Sequence, residues 1–388
     1  MILPPAVLGL LGGGQLGRYF TLSARTMGYR VWVLDPDPHS PAGGLADRHL
    51  CAEFDDPAAL RELAEHASVV TCEFENVPAA SAEWLAAHAL LRPDPRALAI
   101  AQDRIEEKRF LEQADVAVAP WLPIERLDAM RELPPEWPFP AILKTARLGY
   151  DGKGQVPVRS AADVAPAFRA LGEVPCVLEQ RIDLEREVSV VLARDPEGRS
   201  RAFPVSENVH RGGILHLSRV PARVDANIRA QAEAVAQHVA ERLEYCGVLA
   251  VEFFVTSGGD LLVNEIAPRP HNSGHYTLDA VSVSQFEQQV RAVCGLALAP
   301  AELTAPVAML NLLGELWPED RPMPDFSHLL GHGRARLHLY GKPDPRPGRK
   351  MGHINVLGAP GEGEASQPVR LAETLWSTLR VQAGLEGS

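Results

Sequence analysis

Between residues 6 and 94 short apolar runs alternate with helical patterns: "AVLGLL", a helix from Gln15, "RVWVLD", a helix near Pro57–His66, "SVVTCEF" and a helix near Ala79–His88. Each connection is too long for a hairpin and carries its own amphipathic stretch. Successive strands must therefore run parallel, with helices packed over them. The first hundred residues are thereby confined to a doubly wound parallel sheet. Its first turn, "LGGGQLG", fits G-x-G-x-x-G through Gly12, Gly14 and Gly17, and Asp35 ends the following strand. Taken alone, this is the fingerprint of a dinucleotide site and would make the chain an NAD-dependent oxidoreductase.

The texture changes near residue 100. A helix ending near Ala114 precedes the strand "AILKTA", the loop "RLGYDGKGQ", the strand "CVLEQ" and the strand "EVSVVLARD" turning through "PEG". A long helix is expected from an Asp225 N-cap, with Ile228, Ala232, Val235, Val239 and Leu243 on one face and Gly247 as its stop. A hairpin, "VLAVEFFVTSGGDLLVNEIA", and a helix near Ser284–Cys294 follow. Beyond 301 come short strands ("VAMLNLLG", "RARLHLYG", "GHINVLG") and a closing helix from about Pro368. The expectation is a mixed α/β and α+β chain of three domains: a parallel-sheet domain at 1–100, a central domain at 101–300, and a small β-rich, barrel-like domain at 301–388.

Composition removes several function classes. A net charge of -12 provides no broad positive field for a polyanion, so nucleic acid is not an expected partner. An anionic small substrate would need a local cluster of Arg and Lys. Five scattered cysteines (Cys51, Cys72, Cys176, Cys246 and Cys294) without C-x-x-C spacing fit neither a disulfide framework nor a zinc site, and point to a reducing cytoplasm. "MILPPAVLGLLGGG" lacks a basic leading segment and reads as a first strand. Neither a signal peptide nor a membrane span is expected.

The chemistry is concentrated in the hairpin. A two-residue turn at Gly258-Gly259 sets Glu252 opposite Glu265 on one face of the sheet. Carboxylates paired across strands, with Cβ atoms roughly 5 Å apart, repel unless a cation lies between them. A hard divalent ion suits that position, because Mg²⁺ takes one or two carboxylates and fills its remaining sites with phosphate and water. A solvated pair on an exposed edge is the alternative. In "RLGYDGKGQ", Gly149, Gly152 and Gly154 surround Asp151 and Lys153, so the backbone can approach an anion closely; an Asp-Gly hairpin turn explains the same residues. Lys144 lies in the apolar strand before this loop. Glu179 and Glu187 flank the connection after "CVLEQ", where backbone groups and carboxylates could read an adenine and its ribose, or simply form ion pairs.

With these residues in order, the chain resembles the ATP-grasp superfamily. "GYDGKGQ" and "NEIAPRPHNSGHYT" together make it similar to the N5-carboxyaminoimidazole ribonucleotide synthetase family, over the stretch from "GGGQLGR" to "RPGRKMGHIN". The resemblance implies a ligase of purine biosynthesis that joins bicarbonate to 5-aminoimidazole ribonucleotide, using ATP and Mg²⁺, through carboxyphosphate. It implies ATP contacts at Arg104, Lys144, Gly149, Tyr150, Asp151, Gly152, Lys153, Gly154, Gln155, the hinge Glu179, Gln180, Arg181 and Ile182, then Glu187, His210, Asn264 and Glu265. Magnesium falls to Glu252 and Glu265. Strict alternation puts Asn264 on the face opposite Glu265, so the strand must twist or bulge for both to reach one ligand.

Arg269, His271 and Asn272 follow Glu265 closely and become the bicarbonate group, since a planar guanidinium can hold a planar anion through paired hydrogen bonds. A rigid proline turn is the other explanation of "APRP". Lys153 and Tyr150 complete the catalytic set, with Tyr150 over the imidazole ring. For the ribonucleotide the candidates are Gly14, Gln15, Leu16, Glu73 and Tyr150, with Lys342, Arg349 and Lys350 for its phosphate. The glycine fingerprint then serves a substrate other than NAD, because a helix N-terminus binds any anion. A relative that uses formate or glycinamide ribonucleotide is the alternative ligase. A homodimer is the assembly that the resemblance implies.

Overall fold

The computed structural model describes residues 1–127, 133–149, 152–318, 323–359 and 365–385. The first region is the expected parallel sheet. Strands β1 (Val7–Leu11), β2 (Arg30–Leu34), β3 (Arg48–Leu50) and β4 (Val69–Cys72) run in the order β3-β2-β1-β4. Both faces are covered, which is why these strands read as continuous apolar runs: Leu8, Leu11, Val31, Val33, Val69 and Val70 are fully buried. Helix α1 (Gln15–Thr26) follows the glycine turn directly. The short β3 had no sequence signal, since three residues are too few to set up an alternation.

Two antiparallel sheets follow. The smaller contains β5 (Trp121–Ile124), β6 (Ala141–Thr145), β7 (Gln155–Val158) and β8 (Cys176–Gln180), in the order β5-β8-β6-β7. The larger is built from β9 (Leu184–Arg194), β10 (Ser200–Ala202), β11 (Ser206–Arg211), β12 (Ile214–Val220), β13 (Gly247–Thr256), β14 (Leu261–Ala267), β15 (Val307–Leu313), β16 (Ala335–Leu339) and β17 (Lys350–Leu357). Its order is β14-β13-β9-β11-β12-β15-β17-β16, with β10 on the side of β9. The sheet therefore runs unbroken through the seam expected near 300: β12 pairs with β15, Leu217 opposite Leu310.

The β11–β12 hairpin was not anticipated, because "SENVHRGGILHLSRV" mixes polar and apolar residues on both faces. The long helix begins where expected, with Asp225 accepting from the Ile228 amide, but it stops earlier than Gly247. Glu244 takes the left-handed conformation at φ +50°, and Gly247 opens β13 instead. The helix Arg104–Gln113 joins the two antiparallel sheets, because its Lys108 reaches both Glu179 of β8 and the Asn264 carbonyl of β14. Among the described residues no helix is long and apolar enough to cross a membrane.

Candidate active site

Glu252 of β13 faces Glu265 of β14, but two local features combine to put them there. The turn holds three residues, Ser257–Gly259, with Gly259 at φ +86° and its amide donating to the Thr256 carbonyl. This replaces the expected two-residue turn and slips the register by one: Phe253 pairs with Val263. A β-bulge at Asn264 then restores it, returning Glu265 to Glu252. The bulge also resolves the alternation problem, since an extra residue re-aims the side chains around it. Glu252 is buried and its carboxyl is pushed up to about 7, by burial first and then by Glu265. Glu265 is held on the charged side because Arg104, whose Nη1 lies 2.9 Å away, outweighs the cost of its burial.

Behind this pair lies a buried charged triad. Glu179 accepts from Lys144 Nζ at 2.7 Å and pairs with Lys108 Nζ at 2.9 Å. Burial disfavours the carboxylate, but the two ammonium groups reverse that and bring it down to about 2. Both oxygens of Glu179 are thus occupied by lysines. As an acceptor for an adenine amino group the side chain is poorly placed, and it serves instead to hold Lys144. Gln180, Arg181 and Ile182 continue the connection, with the Gln180 and Arg181 amides bonded to the carbonyls of Pro120 and Pro140.

The next strand brings Glu187 to His210, Oε2 and Nδ1 being 2.6 Å apart in an ion-pair contact that lacks hydrogen-bond alignment. Burial works against the imidazolium, yet Glu187, Glu252 and Glu265 raise its pKa.

Of the 149–155 loop, Tyr150 and Asp151 lie outside the described residues. Gly152 and Gly154 have φ of +76° and +71°. A Cβ on Gly152 would stand 3.1 Å from both the Gly212 carbonyl oxygen and the Gly213 Cα. The loop therefore reaches from the smaller sheet to the β11–β12 turn, backbone against backbone. Lys153 is exposed on it, and Gln155 opens β7.

Arg269 Nε pairs with Glu75 and its Nη1 donates to the Pro270 carbonyl at 3.2 Å, so that among the described residues one Nη1 hydrogen and both Nη2 hydrogens are left for another anion. His271 Nε2 sits 3.2 Å from Glu252 Oε1, and burial followed by Arg269 lowers its pKa to about 3. Asn272 is buried, and its amide forms a reciprocal pair with Asn311 of β15 at 3.1 and 2.7 Å.

The glycine fingerprint is filled from within. Glu73 accepts from the Gly14 amide at 2.7 Å and the Gly17 amide at 3.0 Å, and Asp35 accepts from the Gly13 amide at 2.6 Å. Leu16 packs with Tyr19, Phe286 and Tyr340, so only its backbone can face a ligand. Lys342 Nζ donates to Gln15 Oε1 at 2.8 Å and to the Lys350 carbonyl at 2.9 Å, which joins the first and last regions. Arg349 instead donates to the Asp344 carbonyl at 2.9 Å.

Comparison with known proteins connects these parts. Residues 6–102 match a ribonucleotide synthetase preATP-grasp domain, 109–286 an ATP-grasp domain, and 307–365 a phosphoribosylaminoimidazole carboxylase C-terminal domain. N5-carboxyaminoimidazole ribonucleotide synthase of Bacillus subtilis is 43% identical over 93% of both chains, and that of Brucella melitensis is 43% identical over 91% of this chain and 97% of its own. The chain belongs to the N5-carboxyaminoimidazole ribonucleotide synthase family. A synthetase crystallised with ADP superposes with a TM-score of 0.89 at 41% identity, covering 100% of this chain and 99% of its own. An Aspergillus clavatus synthase in complex with ADP and 5-aminoimidazole ribonucleotide gives 0.83 at 29% identity, with 98% of each chain covered.

For an N5-carboxyaminoimidazole ribonucleotide synthase, an ATP-grasp ligase of purine biosynthesis, the site contains residues that sequence reasoning missed. Lys108 and Glu107 are almost completely buried; Glu107 Oε1 accepts from the Ile266 amide at 2.6 Å, beside the bulge. Their signal was spacing: Arg104, Glu107, Lys108 and the buried Leu111 share one stripe of a helix, an unusual place for charge unless each group has a partner. Glu75 had no such signal, because its partner Arg269 lies far away in sequence.

Proposed function

We propose that this cleft carboxylates 5-aminoimidazole ribonucleotide with bicarbonate, converting ATP to ADP and phosphate and giving N5-carboxyaminoimidazole ribonucleotide. The observation that carries the reading is the bulged hairpin: it sets Glu252 opposite Glu265 and is followed at once by Arg269 and His271, whose ring touches Glu252.

The nucleotide lies between the two antiparallel sheets. Lys144 is held by Glu179, and Arg104 by Glu265. These cations, with Lys153 and the backbone of the 149–155 loop, neutralise and orient the phosphates, while the backbone of the hinge 179–182, with Glu187, His210 and Asn264, takes the adenosine. The donor set fits Mg²⁺: two facing carboxylates, each of which disfavours the other's charge, match an ion that takes one or two protein carboxylates. Magnesium on Glu252 and Glu265 would supply positive charge to the β- and γ-phosphate oxygens.

Arg269 holds bicarbonate through its remaining hydrogens, with His271 and Asn272 fixing the turn around it. A bicarbonate oxygen attacks the γ-phosphorus, the bond to the β-phosphate oxygen breaks, and carboxyphosphate forms beside ADP. Carboxyphosphate breaks its C–O bond to give CO₂ and phosphate next to the ribonucleotide amine; the amine nitrogen then adds to the CO₂ carbon as one C–O π bond opens, and the amine proton passes to the departing phosphate. Catalysis here is positioning and charge neutralisation. The turn of Gly14, Gln15 and Leu16, ordered by Glu73, is assigned to the aminoimidazole ribonucleotide, with Tyr150 added from the sequence alone, and Lys342, Arg349 and Lys350 are assigned to its phosphate.

The test is ADP release with each acceptor. Release that requires bicarbonate and 5-aminoimidazole ribonucleotide, and does not occur with glycinamide ribonucleotide or formate, is the expected result; the reverse acceptor preference refutes the reading. The thiols are free and suit a reducing cytoplasm, and the assembly is a homodimer, a point for light scattering on the purified protein.

A further inference from the structure

Around His271 lies a buried polar chain that the steps above leave unused. Ser189 of β9, Ser206 and Asn208 of β11, Ser218 of β12 and Ser273 are all buried. Ser218 Oγ donates to Asn208 Oδ1 at 2.8 Å, and Asn208 Nδ2 donates to Ser189 Oγ at 3.0 Å. The Ser189 and Ser273 hydroxyls are 2.7 Å apart, and Ser273 Oγ is 2.8 Å from His271 Nδ1. Ser206 Oγ adds a contact to Ser189 Oγ at 2.8 Å.

The directions of these bonds follow from what each atom can do. An amide nitrogen only donates, so Ser189 Oγ accepts from Asn208 and keeps one hydrogen to give. At the other end the Ser273 backbone N–H donates to His271 Nδ1 at 3.3 Å. An N–H cannot accept, so Nδ1 presents a lone pair and the ring proton lies on Nε2, facing Glu252 Oε1. The Ser273 hydroxyl then also donates to Nδ1, and Ser189 donates to Ser273. With Ser206 giving its hydrogen to Ser189 Oγ at 2.8 Å in preference to the Ser189 carbonyl at 3.4 Å, every bond from Ser218 to the ring points the same way.

The ring's backbone is clamped as well. The His271 amide donates to Gln285 Oε1 at 2.8 Å, and Gln285 Nε2 donates back to the His271 carbonyl at 2.7 Å. Gly274 makes room for this clamp, since a Cβ there would lie 2.7 Å from Gln285 Oε1.

We propose that Ser273, Ser189 and Asn208 are positioning residues that lock His271 as its Nε2–H tautomer, so that the ring meets the bicarbonate site as a hydrogen-bond donor and cannot serve there as a base. This rests on the reading that His271 takes part in the reaction. A donor fixed beforehand stabilises negative charge building on a carboxyphosphate oxygen with no rearrangement at the moment of transfer.

The test is nitrogen-15 NMR of the histidine-labelled protein, with His271 assigned by its loss in His271→Ala. The expected spectrum shows an unprotonated Nδ1 and a protonated Nε2, and the opposite pattern overturns the proposal. Asn208→Asp keeps the shape but replaces the terminal donor by an acceptor, and should move the ring toward Nδ1–H. Ser273→Ala should lower kcat for bicarbonate-dependent ADP release by about 10- to 100-fold, with the KM for ATP held within about 2-fold. An unmoved tautomer in Asn208→Asp, or wild-type kcat in Ser273→Ala, overturns it. Wild-type turnover in His271→Ala is a separate result: it removes His271 from the reaction while the tautomer measurement stands.

Discussion

The molecule has two glycine-rich loops that follow strands, 12–17 in the parallel sheet and 149–155 in the smaller antiparallel one. Each has the composition that lets backbone amides approach an anion. In the first, the anion belongs to the protein: Glu73 occupies the Gly14 and Gly17 amides and Asp35 the Gly13 amide. In the second, Gly152 lies on Gly212 and Gly213, spanning the distance between two sheets. The difference teaches that glycine spacing identifies a backbone able to receive negative charge, while the tertiary partner decides whether the place is already taken. A dinucleotide pyrophosphate would have to displace two carboxylates from the first loop.

That contrast can be tested from its strongest consequence downward. If the nucleotide belongs to the second loop, the hairpin acid it faces is indispensable: Glu265→Ala should lower ADP release by about 10³-fold with an unchanged melting temperature. Near-normal hydrolysis would dissolve the contrast. Gly152→Val places a side chain at positive φ against the Gly212 carbonyl, and we expect kcat to fall by about 10²-fold in steady-state assays because the phosphates are misplaced.

The third consequence concerns acid stability. The folded Glu179 carboxylate has a pKa near 2, below the ordinary 4.5, so its contribution is complete above pH 4.5 and fades as pH falls toward 2. Between pH 5 and pH 3 the wild type should lose about 2 kcal/mol that Glu179→Gln does not, measurable by denaturant melts at the two pH values. Fourth, Glu73→Gln weakens the plug in the first loop. Denaturant unfolding should show a cost of about 1 kcal/mol, and the KM for the ribonucleotide should rise while that for ATP stays level. Last, the wild type should show no quenching of nicotinamide fluorescence at all.

Much of the frame was legible in the sequence. Parallel strands declared themselves by apolar runs separated by long amphipathic stretches, and Glu252 facing Glu265 followed from one hairpin. The latter succeeded for partly wrong reasons, since a longer turn and the Asn264 bulge offset each other. Neither can be read from "TSGGDLLVNE", where a Gly pair suits two- and three-residue turns alike and a bulge depends on what packs beneath it: Lys108 binds the Asn264 carbonyl and Glu107 the Ile266 amide. The roles of Glu179 and Glu73 were equally hidden. A carboxylate in a strand looks the same whether it awaits a ligand or is saturated by lysines or amides from elsewhere in the chain. The continuity of the large sheet past 300 was invisible because β11 and β12, which carry it, lack clean alternation.

The extra residue in β14 resembles a shim driven into a ladder. Were the bulge drawn flat, with Asn264 taken into the ladder opposite Glu252, every later residue of the strand would step along by one: Glu265 would fall opposite Val251 and turn to the other face. A one-residue step therefore separates a strand that sets two acids face to face from one that merely completes a sheet, and the shim stays in place because the buried Lys108 and Glu107 hold the backbone at Asn264 and Ile266.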